Sequence, residues 1–76
     1  MEQKLKKLMS DILKIPQEHI KDTLAMKDTN TWDSLKHMDL IVGTETTFEI
    51  ELTVDDIVIM KDVKTIKRIL SDKGLH

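Results

Sequence analysis

Apolar residues recur at helical spacing near both ends of this chain, and this periodicity is the strongest constraint on its fold. Near the start they follow an i, i+3, i+4, i+7 pattern, at Leu5, Leu8, Met9 and Ile12. Near the end four more share one face of a predicted helix, at Val63, Ile66, Ile69 and Leu70. Such stripes are buried when helices pack against one another. Because the 76 residues include no cysteine, this packing must hold the domain together without disulfides.

A long connection separates the first predicted helix from the rest of the chain. The first helix covers residues 2–14, and Pro16 makes its continuation unfavourable. From Ile15 to Trp32, turn-forming and capping residues predominate. Three apolar side chains are expected to anchor this segment to the core, namely Ile20, Leu24 and Met26. We therefore predict a structured loop that is fixed to the core.

Three polar residues mark the starts of further helices. Asp33 is a good N-cap for a second helix, and Thr53 is a good N-cap for a short helix over residues 54–60. A final helix follows from Asp62, and Gly74 lies just beyond its end.

Residues 46–52 are ambiguous by pattern alone. Phe48, Ile50 and Leu52 alternate as in an edge strand, but the same segment can also form the tail of the second helix. The four helical segments together predict an all-α fold. We expect a small four-helix bundle of three longer helices and one short helix, with the long loop between helices 1 and 2. Residues 1–76 form a single domain in this interpretation.

Composition excludes several classes of function. The net charge is −2 and the only aromatic residues are Trp32 and Phe48, which argues against a nucleic-acid binder. No apolar run is long enough to span a bilayer, and no secretory signal is evident, so we expect a cytoplasmic protein. Without cysteine, and with three dispersed histidines, no metal site is predicted.

Negative charge is concentrated in the middle of the chain. Residues 33–62 contain eight acidic and two basic residues, a net charge of −6. This charge either steers a basic partner to the second and third helices or serves only to keep the surface solvated.

Ser34 is the residue with the clearest chemical potential. It lies at the predicted start of a helix, where backbone amides and the helix dipole favour an anion such as a phosphate group. The alternative is that Asp33 and Ser34 are only a capping pair. A catalytic pair of Ser34 with His37, three residues further on, is conceivable but lacks any sign of a deep pocket. His37 is more simply interpreted as an exposed helix residue.

Leu35, Met38 and Val42 form one apolar strip next to Ser34. Packing in the core and an exposed docking ridge are both compatible with this spacing, because Leu40, Ile41 and Phe48 can serve the core from another face.

The segment Thr31-Trp32-Asp33-Ser34-Leu35 resembles the acyl carrier protein family. The resemblance continues through Met38, Leu40 and Ile41 to Phe48-Glu49-Ile50-Glu51-Leu52, and it covers nearly the whole chain in the same order of helices. It implies that residues 46–52 are the tail of the second helix and the loop that follows it. It also implies that Ser34 carries 4′-phosphopantetheine, transferred from coenzyme A by a separate enzyme, whose thiol holds an acyl group as a thioester.

The resemblance assigns further roles by position. Asp33 would flank the attachment site and help the phosphopantetheinyl transferase to place it. A docking surface for partner enzymes would comprise Leu35, Met38, Val42, Glu45 and Glu49. The chain itself would not be an enzyme, and we expect a monomer.

The resemblance also indicates the type of pathway. Lys36 and His37 follow the Asp-Ser-Leu triplet, where carriers of fatty-acid synthesis usually have an acidic residue. Trp32, before the triplet, is a feature in which the chain resembles discrete carriers of specialised pathways. Fatty-acid-like, polyketide, lipopeptide or saccharide assembly are the candidates, with acyl-loading enzymes and downstream synthases or transferases as partners. A peptidyl or aminoacyl carrier loaded by an adenylating enzyme is the alternative, and a small helical interaction module without cofactor is a more distant one.

Overall fold

The computed structural model describes residues 1–75, and its regular elements are helical. The four α-helices are α1 (Glu2–Leu13), α2 (Ser34–Phe48), α3 (Val54–Ile59) and α4 (Val63–Asp72). No β-strand occurs within residues 1–75, so the interpretation of residues 46–52 as an edge strand is wrong. The Cα radius of gyration is 11.1 Å, which is the value expected for a compact chain of this length.

The predicted N-caps are confirmed at three helices. Asp33 accepts a hydrogen bond from the backbone amide of Lys36 at 2.9 Å. Thr53 begins α3 with a capping box, in which its hydroxyl and the Asp56 carboxylate each bond to the other residue's backbone amide. Asp62 is the N-cap of α4, and its carboxylate accepts a hydrogen bond from the backbone amide of the third residue of that helix. This hydrogen bond lowers the pKa of the Asp62 carboxyl group. Local capping signals therefore determine where these helices begin.

Two helices end on side-chain-bearing residues in the left-handed conformation. Lys14 follows α1 with a φ of 60°, and Glu49 follows α2 with a φ of 53°. Only glycine adopts this conformation without steric cost. Gly74, beyond α4, has a φ of 91°, and as a glycine it adopts a positive φ without steric cost.

The buried core side chains come from α1, α2, α4 and the segments between the α-helices, whereas α3 contributes Ile57, which is partly buried against the core. Its fully or nearly buried apolar residues are Leu5, Met9, Leu13, Ile20, Trp32, Leu40, Ile41, Leu52, Met60, Val63, Ile66, Ile69 and Leu70. The predicted stripe of α4 is buried in full. In α1 the face is rotated relative to the prediction, because Leu13 is buried whereas Leu8 and Ile12 are only partly buried.

Gly43 permits α1 and α2 to approach closely. A Cβ atom at this position would lie 2.9 Å from Cδ1 of Leu8 and 3.3 Å from Cδ1 of Ile12. The first distance is shorter than carbon atoms tolerate, so a larger residue would require the Leu8 side chain to move. This close approach explains the glycine within α2.

The connection between α1 and α2 is fixed to the start of α4. It contains two 3₁₀ turns, Gln17–His19 and Met26–Asp28. The amide of Met26 donates to the carbonyl of Lys61 at 2.8 Å, and the amide of Val63 donates to the carbonyl of Leu24 at 3.0 Å. Ile20 is buried, and Leu24 and Met26 pack against the core. These three anchors were predicted from the sequence.

Candidate functional site

Ser34 lies at the rim of an open cleft between α2, α3 and the second 3₁₀ turn. The cleft has a volume of about 760 Å³, and its walls are mainly apolar. Its lining residues are Ala25, Met26, Lys27, Ser34, His37, Met38, Ile57, Val58, Lys61 and Asp62. The Ser34 side chain is exposed, so its hydroxyl is open to reaction with a large reagent.

The first turn of α2 provides a favourable setting for an anion at Ser34. Ser34 is the first residue of the helix, and the Asp33 side chain already satisfies the amide of Lys36. The amides of Ser34 and Leu35 have no acceptor within the helix, as at every helix start. Together with the positive end of the helix dipole, such amides favour an anion at the start of α2, where Ser34 is exposed.

His37 is half-buried and bonded on both sides, which corrects the expectation of an exposed helix residue. Its Nδ1 accepts a hydrogen bond from the indole Nε1 of Trp32 at 3.0 Å. Its Nε2 lies 3.1 Å from the carbonyl oxygen of Ile57, in α3. Both contacts are satisfied together when the ring carries its proton on Nε2. Because both ring nitrogens have other partners, His37 is not placed to activate the Ser34 hydroxyl.

The apolar strip on α2 is exposed rather than part of the core. The exposed fractions are 78% for Leu35, 55% for Met38 and 58% for Val42. The core positions of α2 are instead taken by Leu40 and Ile41. The core-packing interpretation of the strip is therefore excluded, and three large apolar side chains face solvent beside Ser34.

A second group of exposed apolar residues lies on α3 and was not predicted. Val54, Val58 and Ile59 are 75%, 57% and 46% exposed. Val58 and Met38 both line the cleft, so the exposed apolar residues of α2 and α3 meet there. Four of the six residues of this short helix are apolar, and its sequence alone gives no indication of which of them is buried.

The two acidic residues predicted for docking have different environments. Glu45 is half-buried, and its carboxylate accepts a hydrogen bond from the backbone amide of Leu52 at 3.0 Å. It thereby supports the loop after α2. Glu49 is exposed at the end of the helix, in the left-handed conformation already described.

Two lysines in the cleft were also missed by the sequence reasoning. Lys27 lies in the second 3₁₀ turn and Lys61 lies between α3 and α4, and both side chains are exposed. Their positions are 34 residues apart in the sequence and are brought together by the backbone bond between Met26 and Lys61. No local sequence pattern predicts such a long-range contact.

Two absences concern only the part of the chain that the structure describes. Residues 1–75 contain no group of three or more histidine or acidic side chains placed to hold a metal ion. Across the same residues, none of the helices combines the length and the apolar character that crossing a membrane requires.

Comparison of the chain with protein-family models gives no match, and comparison with curated proteins gives no significant match.

Proposed function

We propose that this chain is an acyl carrier protein in which Ser34 is the attachment point for 4′-phosphopantetheine. The observation that carries the proposal is the position of Ser34. It is an exposed serine at the first residue of α2, capped by Asp33, on the rim of a mainly apolar cleft. We also propose that the chain has the four-helix bundle fold of such carriers and that it acts in the cytoplasm.

The attachment reaction requires an accessible hydroxyl and a place for the resulting phosphodiester. A phosphopantetheinyl transferase would present coenzyme A to Ser34. The serine oxygen forms a bond to phosphorus, the phosphoanhydride bond breaks, the nucleotide leaves, and the serine proton passes to a base of the transferase. The new phosphodiester then lies at the start of α2, where free amides and the helix dipole stabilise negative charge.

The cleft beside Ser34 fits a long, mostly apolar group. Its walls include Met38 of α2 and Ile57 and Val58 of α3. When bound, the phosphopantetheine arm supplies a thiol that holds the cargo as a thioester. The chain's own contribution is to fix the arm at one end and to offer a partly enclosed apolar surface near it.

Partner enzymes would dock on the exposed face of α2. Leu35, Met38 and Val42 provide apolar contact area, and Glu49 provides an exposed carboxylate. Residues 33–62 carry a net charge of −6, which favours partners with basic patches. The proposed partners are the phosphopantetheinyl transferase, a loading enzyme, and downstream synthases or transferases.

The intact mass of the purified protein tests this proposal. Incubation with coenzyme A and a broad-specificity phosphopantetheinyl transferase should add the mass of one phosphopantetheine. Ser34→Ala should abolish the gain, whereas Ser71→Ala, which removes another exposed serine, should leave it unchanged. No gain from a protein that is folded by circular dichroism would refute the proposal and favour a cofactor-free interaction module.

A loading assay separates the two kinds of carrier. An acyl-transferring enzyme should load the arm of an acyl carrier, and an adenylating enzyme should load the arm of a peptidyl or aminoacyl carrier. We propose the acyl carrier because the cleft walls beside Ser34 are mainly apolar and suit an aliphatic chain.

A further inference from the structure

The cleft beside Ser34 combines apolar walls with two unpaired cations. Lys27 and Lys61 line it, and neither ammonium group lies within ion-pairing distance of a carboxylate among residues 1–75. The lysines that do form ion pairs are Lys7, Lys67 and Lys73. Other lysines of residues 1–75, such as Lys4 and Lys21, also form no ion pair, and what distinguishes Lys27 and Lys61 is their position in the apolar cleft.

The backbone holds the two lysines on neighbouring segments. Met26, adjacent to Lys27, donates its amide proton to the carbonyl of Lys61 at 2.8 Å. Ala25 and Asp62 form an isolated antiparallel bridge at the same place. Lys27 and Lys61 therefore extend from one hydrogen-bonded backbone unit at the cleft, so both side chains can reach the same ligand.

Among residues 1–75, Asp62 is the only acidic residue that lines the cleft, and it does not neutralise both lysines. Asp62 accepts the backbone amide of Thr65 at 2.6 Å as the N-cap of α4, which occupies one of its oxygens. Two lysines and one aspartate leave the cleft lining with a net charge of +1. Positive charge of this kind favours an anionic ligand.

We propose that the cleft binds an aliphatic chain that ends in a carboxylate, with the chain on the apolar walls and the carboxylate between Lys27 and Lys61. Charge complementarity and the apolar lining together specify this ligand class. As a statement about cargo, the inference rests on the proposed function, and it predicts acyl groups derived from dicarboxylic acids. As a statement about the cleft, it can be tested on the unmodified protein.

The test is a titration of the unmodified protein with hexanoate and with hexanamide, followed by the backbone amide signals in NMR spectra. The two probes have the same chain and similar shape but differ in charge. Hexanoate should shift the signals of Met26, Val58 and Lys61 and should bind at least about threefold more tightly than hexanamide. Added sodium chloride should reduce this difference, because it screens the lysines.

A double variant identifies the cations responsible. Lys27→Gln with Lys61→Gln should make hexanoate and hexanamide bind equally. Lys4→Gln with Lys21→Gln removes the same charge from exposed positions outside the cleft and should preserve the preference. Equal binding of the two probes by the wild-type protein would overturn the inference. So would a preference that survives in the Lys27 and Lys61 double variant, or hexanoate shifts confined to another surface.

The two proposals fail in different ways. A protein that accepts phosphopantetheine but does not prefer hexanoate loses the carboxylate site and keeps the carrier function. A protein that prefers hexanoate but accepts no phosphopantetheine keeps the site and loses the carrier function.

Discussion

The indole Nε1 of Trp32 donates a hydrogen bond to Nδ1 of His37 at 3.0 Å, and the two ring centroids lie 6.2 Å apart with an angle of 29° between the ring planes. The opposite nitrogen of His37 is paired with the carbonyl of Ile57. The His37 side chain, in α2, therefore joins the segment before α2 to α3. Because His37 and Ile57 both line the cleft, this contact also determines how α3 is held against α2 beside Ser34.

Two substitutions at His37 test how much its two hydrogen bonds contribute to stability. His37→Leu leaves the indole N–H of Trp32 and the Ile57 carbonyl without partners and should lower the free energy of unfolding by about 1–3 kcal/mol. His37→Asn offers an acceptor near the position of Nδ1 and should lose less. Urea unfolding, followed by Trp32 fluorescence and by circular dichroism, measures both. Equal stability of His37→Leu and the wild type would contradict this role.

Substitutions at Asp33 distinguish a helix cap from a recognition site. Asparagine caps helices as well as aspartate, so Asp33→Asn should leave the free energy of unfolding within about 0.5 kcal/mol of the wild type. Asp33→Ala should lose about 1 kcal/mol. If the carboxylate also helps the transferase, the asparagine variant should be modified more slowly in a timed mass assay. Modification at the wild-type rate would show that Asp33 acts only as the cap.

Glycine at position 49 should stabilise the fold and weaken docking. Glu49 has a positive φ, and Glu49→Gly should raise the free energy of unfolding by about 1 kcal/mol because glycine adopts this conformation without strain. Lys14→Gly relieves the same conformation at the end of α1, outside the proposed docking surface, and should give a similar gain. Only the first variant should bind a partner enzyme more weakly. Equal affinity of the two variants for the partner enzyme would show that Glu49 does not contribute to docking.

The Lys67 ammonium group forms ion pairs with Glu2 and with Asp22, which join α1 and the connection to α4. Its hydrogen bonds lower the pKa of both carboxyl groups, and the same bonds raise the pKa of Lys67. Carboxyl groups whose pKa is lowered by folding stabilise the folded state at pH values above the ordinary pKa of such groups. This stability is lost as the pH falls below about 4.

Lys67→Met should therefore reduce stability at pH 7 and make it less sensitive to acid between about pH 5 and pH 3. Urea unfolding at both pH values measures the change. Lys7→Met is the matched control, because Lys7 pairs with Asp11 at 3.4 Å within one exposed helical turn. It should have a smaller effect on stability. An unchanged acid sensitivity in Lys67→Met would show that these ion pairs do not contribute.

The sequence predicts the elements whose signals are local. Asp33, Thr53 and Asp62 start their helices where the capping pattern places them, and Pro16 lies beyond the end of α1. The four apolar residues of α4 are buried as their spacing indicates. These features depend on interactions within a few residues, which the linear pattern records directly.

The sequence does not predict contacts that depend on tertiary packing. Apolar residues occupy two faces of α2, so periodicity alone could not decide whether Met38 or Leu40 was buried. The bond between His37 and Ile57 spans 20 residues, and the proximity of Lys27 and Lys61 depends on a backbone contact between distant segments. Ser34 could be selected from the sequence, but the cleft beside it could not.

The backbone bonds from Met26 to Lys61 and from Val63 to Leu24 also affect how the chain comes apart. These bonds attach the connection between α1 and α2 to the start of α4. The connection therefore cannot open unless the bonds break as well. Partial unfolding should therefore release the middle of the connection and the start of α4 together, as one cooperative unit, although they are far apart in the sequence.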